Sequence, residues 1–207
     1  RRMSKKTASK AGSGKAAEKT AAKASAGPGR KAAGNGPAKA KAPRGAGVRA
    51  GTPDPAVGQR APAFALPRDG GGRVALADYA GRKLAIFFYP RADTPGCTRE
   101  AIAFSRLAGA FAAAETALLG ISADPPGKQE RFRDKHGLTV PLGSDETHEM
   151  LERYRVWGEK TLYGRAFEGI IRTTVLIGAD GRIARVWRNV KVEGHAEDVL
   201  AAARELS

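Results

Sequence analysis

Large apolar side chains are confined to the last three quarters of this chain, and that confinement sets what can fold. Between Arg1 and Gly47 the residues are mostly Ala, Lys, Gly, Ser and Pro; Met3 is the only larger apolar residue and there is no aromatic. Such a segment cannot bury enough apolar surface to offset the entropy of ordering it. The reading is therefore a disordered Lys/Ala/Gly-rich basic tail over residues 1–50 and one folded domain over residues 51–207. Charge divides at the same place. Up to Ala50 there are 14 Lys+Arg against the single acidic Glu18, a net of +13, whereas 51–207 carries 22 against 20, a net of +2.

Several classes fall away. The longest unbroken apolar run, Leu84 to Tyr89, is far short of the roughly 20 residues that span a bilayer, so no membrane helix is expected. No apolar stretch in the tail resembles a secretory signal, and it lacks the large apolar face of a transit peptide. Arg1 and Arg2 precede Met3, which stands as a candidate start. Gly12-Ser13-Gly14-Lys15 has the look of a phosphate loop, but no Ser or Thr follows the lysine and no strand precedes it; Gly45-Ala46-Gly47 likewise follows no strand. The one cysteine, Cys97, excludes an intramolecular disulfide and a multi-thiolate zinc site. A lone reduced cysteine and the absence of a signal suit the cytoplasm. His136, His148 and His195 are scattered without metal-ligand spacing, so no metal and no catalytic histidine are expected.

The folded part reads as alternating elements. Phe64–Leu66 and Arg73–Leu76 flank the turn-rich Asp69-Gly70-Gly71-Gly72 as a hairpin. Lys83–Tyr89 is a short apolar run that reads as a central strand buried on both faces. Past Cys97, Ala101, Phe104, Ala108 and Phe111 recur on one helical face. Thr116–Ser122 reads as a second buried strand, Pro126–His136 as a helix opened by proline, and Thr147–Tyr154 as another helix. Arg172–Ile177 and Arg182–Trp187 flank Gly178-Ala179-Asp180-Gly181, a hairpin signal with a two-residue turn. His195–Leu206 closes the chain as a helix. This order predicts an α/β layered fold with a mixed sheet, the element order of a thioredoxin-like fold with an N-terminal β extension.

Cys97 falls where a loop enters a helix. Unpaired amides and the positive end of the helix dipole favour thiolate there. Thr94, three residues earlier, can reach back with its hydroxyl, and Pro90 and Pro95 stiffen the loop and limit water. The competing reading is a small buried hydrophobe, the usual fate of a free cysteine. A helix start and a polar, turn-rich loop weigh against it.

The run Phe88-Tyr89-Pro90-Arg91-Ala92-Asp93-Thr94-Pro95-Gly96-Cys97-Thr98-Arg99-Glu100 resembles the active-site signature of peroxiredoxins, P-x-x-x-T-x-x-C followed by x-x-E. Thr-Pro-Gly-Cys-Thr resembles the bacterioferritin-comigratory-protein, or PrxQ, subfamily. Tyr163-Gly164 and Gly169–Thr174 are similar to the segment carrying that family's second active-site arginine. Trp187, Val190-Lys191 and Gly194–Glu197 fit its C-terminal strand and helix. The resemblance spans roughly Pro53 to Leu206. It implies a thiol peroxidase without cofactor, reducing hydrogen peroxide and organic hydroperoxides. Cys97 would be the attacking thiolate, oxidised to sulfenic acid. Arg172 would lower the thiol pKa and donate to the peroxide. Thr94 would hydrogen-bond thiolate and peroxide, Pro90 would shield the site, and Glu100 would orient the arginine. Many members carry a resolving cysteine five residues on, where this chain has Ile102. A one-cysteine enzyme is therefore implied, recycled by thioredoxin or another outside thiol, in a subfamily that is often monomeric.

Two other readings compete. The tail could bind nucleic acid without sequence preference through counterion release, with no aromatic offered for base stacking. Thiol–disulfide exchange of the thioredoxin kind normally needs Cys-x-x-Cys, and Cys97 is followed by Thr98, Arg99 and Glu100. Deleting residues up to Ala50 is expected to leave peroxide turnover intact while removing any salt-sensitive DNA binding; loss of turnover on truncation would place the domain boundary elsewhere.

Overall fold

The computed structural model describes residues 56–162 and 165–206. The basic segment and the Tyr163-Gly164 pair lie outside the described residues. In chain order the elements are β1 (Ala65–Pro67), β2 (Arg73–Ala75), a 3-10 turn (Leu76–Tyr79), β3 (Lys83–Phe88), α1 (Pro95–Ala113), β4 (Thr116–Ser122), α2 (Pro126–His136), β5 (Leu142–Ser144), α3 (Glu149–Arg153), β6 (Trp157–Leu162), β7 (Arg165–Ile170), β8 (Thr173–Ile177), β9 (Ile183–Arg188) and α4 (His195–Glu205).

The main sheet runs β5-β4-β3-β8-β9. β3 pairs parallel with β4 and antiparallel with β8, so the sheet is mixed and β3 is its middle strand. Because side chains alternate along a strand, β3 feeds two cores. Ala85 and Phe87, with Tyr89 just beyond, face α1, α2 and α4, among Phe104, Phe111, Phe132 and Val199. Leu84, Ile86 and Phe88 face α3 and the β1–β2 hairpin, among Leu66, Val74, Leu151 and Tyr154. Phe87 stacks on Phe104 with ring centroids 4.6 Å apart, which ties α1 to the centre of the sheet. No helix among the described residues is long and apolar enough to cross a membrane.

The sequence expectations hold for the hairpin β1–β2, for β3, β4, α1, α2, β8, β9 and α4, with the ends of several shifted by one residue. Three points differ. The β8–β9 connection is a three-residue loop rather than a two-residue turn: the Gly178 amide donates to the Arg182 carbonyl, and Gly181 takes φ 76°. The expected helix Thr147–Tyr154 is only Glu149–Arg153, because His148 before it is left-handed, at φ 64°. Arg172, expected inside a strand, lies just before β8 in the short link from β7. β5 and the β6–β7 hairpin had no sequence assignment.

Gly120 shows how closely β4 is packed. A Cβ there would meet the Phe87 ring at 2.7 Å and the Leu142 side chain at 2.8 Å. Gly120→Ala is therefore expected to destabilise the protein by about 1–3 kcal/mol, seen as a lower urea midpoint at unchanged slope.

Candidate active site

β3 ends at Phe88, and the chain then runs through Tyr89 and Pro90 to Thr94, the N-cap of α1. Pro95 occupies the first helical position, where its missing amide costs nothing. Cys97 is thus the third residue of α1, at the positive end of its dipole. The residue is 1% exposed and belongs to the core cluster with Phe87 and Phe104. Here the sequence reading needs correction, since it set burial against reactivity. The loop is polar, yet Cys97 itself is buried, so burial and a polar loop occur together here.

What distinguishes this sulfur from a core filler is its polar neighbour. Arg172 Nη2 donates to Cys97 Sγ at 3.2 Å. Nη1 of the same guanidinium donates to Glu100 Oε2, one helical turn along α1 from the cysteine. The geometry follows from the sheet. Phe88 pairs with Thr173 in the β3–β8 register, so Arg172 falls where the chain leaves β3 for the cysteine loop. Glu100 is 1% exposed, and its Oε1 has no hydrogen-bond partner among the described residues. Burial pushes the Glu100 carboxyl up to about 7 against the opposing pull of Arg172. The arginine moves the other way from what its own burial favours: the charges of Glu100 and Cys97 and their hydrogen bonds raise it further. The pair is thus a firmly charged cation beside a carboxyl that gives up its proton reluctantly.

The other two residues singled out from the sequence stand differently. The Thr94 hydroxyl donates to the Arg91 carbonyl at 3.0 Å and makes no cap bond to the helix, so here it does not reach the sulfur. Pro90 is exposed at the end of β3. The structure therefore brings Cys97, Arg172 and Glu100 together and leaves Thr94 and Pro90 on the loop beside them.

Sequence reasoning missed Lys160. It lies on β6 and donates to the carbonyl of Ile170, two residues before Arg172. Burial first, then the Arg172 charge, hold its amine below the usual lysine range, while Cys97 draws it back up. The site therefore contains two cations. No periodic pattern marks Trp157–Ile170 as a hairpin, so nothing in the sequence placed Lys160 there. His195 begins α4, and its Nε2 lies 2.7 Å from Thr174 Oγ1. Burial, with help from Arg172, pushes its imidazole down to about 4, so it is neutral near pH 7.

The arrangement can hold a buried thiolate against a guanidinium and offer the same guanidinium to an oxygen acquiring charge. Comparison with known proteins shows the family. Residues 57–186 match the model of the AhpC/TSA family. Peroxiredoxin Bcp of Escherichia coli is 40% identical over 149 residues, 72% of this chain and 96% of the relative. Peroxiredoxin Bcp of Bacillus subtilis is 38% identical over 151 residues, 73% and 96%. The solved bacterioferritin comigratory protein of Xanthomonas campestris, described for alkyl peroxide reduction, superposes with a TM-score of 0.66 at 38% identity, covering 69% of this chain and 90% of that one.

The Glu100 carboxyl should show itself in the pH dependence of stability. Its pKa is raised on folding from 4.5 to about 7, so between these values the folded protein keeps a proton that the unfolded chain has released. Its contribution is thus fully present below the lower value and is lost as pH rises through the upper one. Between about pH 5 and pH 8 the urea midpoint of the wild type is expected to fall more than that of Glu100→Gln; parallel falls would show that the carboxyl titrates normally.

Proposed function

The chain belongs to the AhpC/TSA family as a peroxiredoxin of the Bcp, or PrxQ, kind, a thiol-dependent peroxidase, and we propose that Cys97 is its attacking thiol and Arg172 the group that activates it. The observation that carries this reading is the 3.2 Å contact from Arg172 Nη2 to Cys97 Sγ inside a buried site. Family members take peroxide as substrate and a thiol as reductant.

The thiolate attacks the terminal peroxide oxygen, an S–O bond forms and the O–O bond breaks. Cys97 is oxidised to sulfenic acid, and the leaving oxygen departs as hydroxide or alkoxide and takes a proton. Negative charge moves from the sulfur to that oxygen. Arg172 can stay bonded to the charge along the way, which lowers the barrier without rearrangement. It cannot supply the proton, because a guanidinium does not deprotonate in this range. Glu100, by accepting Nη1, holds the plane of the guanidinium so that Nη2 faces the sulfur. Pro90 and Thr94 act on this reading through the loop, as shield and as a hydroxyl near the peroxide path. An organic hydroperoxide is a fitting substrate, given the alkyl peroxide reduction described for the Xanthomonas protein.

Recycling follows from the cysteine count. With one cysteine in the chain, the sulfenic acid condenses with an outside thiol, releasing water and leaving a mixed disulfide. A second thiol then frees Cys97. We assign thioredoxin, or another cellular thiol, to this step, acting on a monomer in the reducing cytoplasm. The alternative reading, nucleic-acid binding through the basic segment, draws no support from the family match, which spans 57–186.

One equivalent of hydrogen peroxide with dimedone is expected to give a fast adduct on the intact mass, absent in Cys97→Ser. Arg172→Met is expected to slow adduct formation by about 10²–10³-fold, as for loss of one charge-stabilising donor. Slow oxidation of the wild type, at the rate of a free thiol, would show that Cys97 is inert.

A further inference from the structure

The loop that delivers Cys97 gains no side-chain cap from its own helix, only the backbone bond from the Thr98 amide to the Thr94 carbonyl at 2.8 Å. The N-cap Thr94 makes no side-chain bond to the first turn, its hydroxyl being used on Arg91. The holding groups come instead from the end of β4 and from α2. The Ala92 amide donates to Asp124 Oδ2 at 2.6 Å. The same carboxylate oxygen accepts the Ser122 hydroxyl at 2.9 Å, and Oδ1 pairs with Lys128 at 2.5 Å. Ser122 Oγ in turn accepts from the Asp124 amide at 3.1 Å and from Gln129 Nε2 at 2.8 Å. Gln129 Nε2 also donates to the Gly143 carbonyl at 3.1 Å, and its Oε1 accepts the Tyr89 hydroxyl. Burial pushes that hydroxyl far above the usual tyrosine range, so it remains a donor.

The chain segment between β3 and α1 is therefore tied to this one polar network at Tyr89 and Ala92, and separately at the exposed Asp93, which pairs with Lys135 and His136 of α2. Ser122, Gln129 and Tyr89 are each fully buried, beside Phe87 and Phe132. An apolar filling of that space would cost less desolvation, but it would hold the loop only by shape. A satisfied network of directional bonds fixes one geometry. Among the described residues, Ser122, Asp124 and Gln129 make their hydrogen bonds to one another, to the loop, to Lys128 and to Gly143, whereas the side-chain partner of Cys97 Sγ is Arg172.

We propose that Asp124 is a positioning residue for the peroxidase reaction: by accepting the Ala92 amide, braced by Ser122 and Gln129, it sets the place of Cys97 Sγ relative to Arg172. It acts through the loop and touches neither peroxide nor sulfur. Attack on peroxide needs sulfur, both oxygens and the guanidinium in line, so an error of about 1 Å costs on the order of 10²-fold in rate. Alkylation needs only a reachable thiolate.

The test separates these two demands. Asp124→Ala is expected to slow the reaction of Cys97 with hydrogen peroxide on the order of 10²-fold, while its reaction with iodoacetamide, compared at alkaline pH where a thiol ionises without help from Arg172, changes by less than about threefold. Asp124→Asn, whose carboxamide oxygen can still accept from Ala92, is expected to recover most of the peroxide rate. Equal losses in both reactions, or no loss in either, overturn the proposal. Should Asp124→Ala fail to fold, hydrogen exchange on the wild-type protein decides: the Ala92 amide is expected to be protected, and exchange at the rate of an open loop overturns the assignment. The proposal rests on Cys97 being the attacking thiol. If that reading fails, the wild type itself reacts slowly with peroxide; if only this one fails, wild type and Asp124→Ala are equally fast.

Discussion

The guanidinium of Arg172, lodged between Cys97 Sγ and Glu100 Oε2, is the contact on which the arrangement of the site depends. Its two partners lie 75 and 72 residues away in sequence, on the first turns of α1. They meet because β3 borders both β4 and β8. The antiparallel register of β3 with β8 pairs Phe88 with Thr173, so the residue before Thr173 falls where β3 gives way to the cysteine loop. A slip of one residue would send Arg172 to the other face of the sheet. The buried alternation on β3, with Phe87 on one side and Phe88 on the other, is what forbids that slip. Core packing and site chemistry are thus one constraint seen from two sides.

The sulfur makes opposed demands of that core. Burial excludes water and strengthens the arginine contact, and the same burial leaves Cys97 only 1% exposed. A small peroxide asks for little room beside the sulfur, whereas a protein thiol must bring its own sulfur to within bonding distance. In a chain that holds a second cysteine the fold itself could meet the second demand. Here the corresponding position is Ile102, partly buried against the α1 core. The stability gained from an apolar side chain at that place goes with dependence on an outside reductant.

How far this was legible in the sequence depends on how each element is stabilised. β3 and β4 are uninterrupted apolar runs, and α2 opens on Pro126 and stops at left-handed Gly137, so local chemistry marks them almost to the residue. β5 is three residues long and exists because β4 lies beside it. The β6–β7 hairpin is rich in polar residues and pairs mainly with itself, so neither periodicity nor apolar run announced it. Within the site, Cys97 could be singled out from its place at a helix start. Arg172 and Glu100 could not: from residue type alone they read as a strand arginine and a solvated carboxylate, and only the long motif around Cys97 drew attention to them. Thr94 was named by the same motif, yet its hydroxyl is committed to Arg91. A motif transmits residue identity well and side-chain orientation less well.

Net charge does not describe the surroundings of the sulfur. Residues 51–207 carry 22 cations against 20 anions, a near balance that gives no large field over the domain. What the sulfur meets is placement: Arg172 in contact, Lys160 held below its usual range by burial and by Arg172, and His195 kept neutral by burial. Two cations brought out of water beside one carboxyl would repel one another and destabilise an empty core. Glu100 compensates Arg172, and the Ile170 carbonyl takes the Lys160 amine. What remains around Cys97 Sγ is an excess of positive charge held in place by the fold rather than by the composition of the domain.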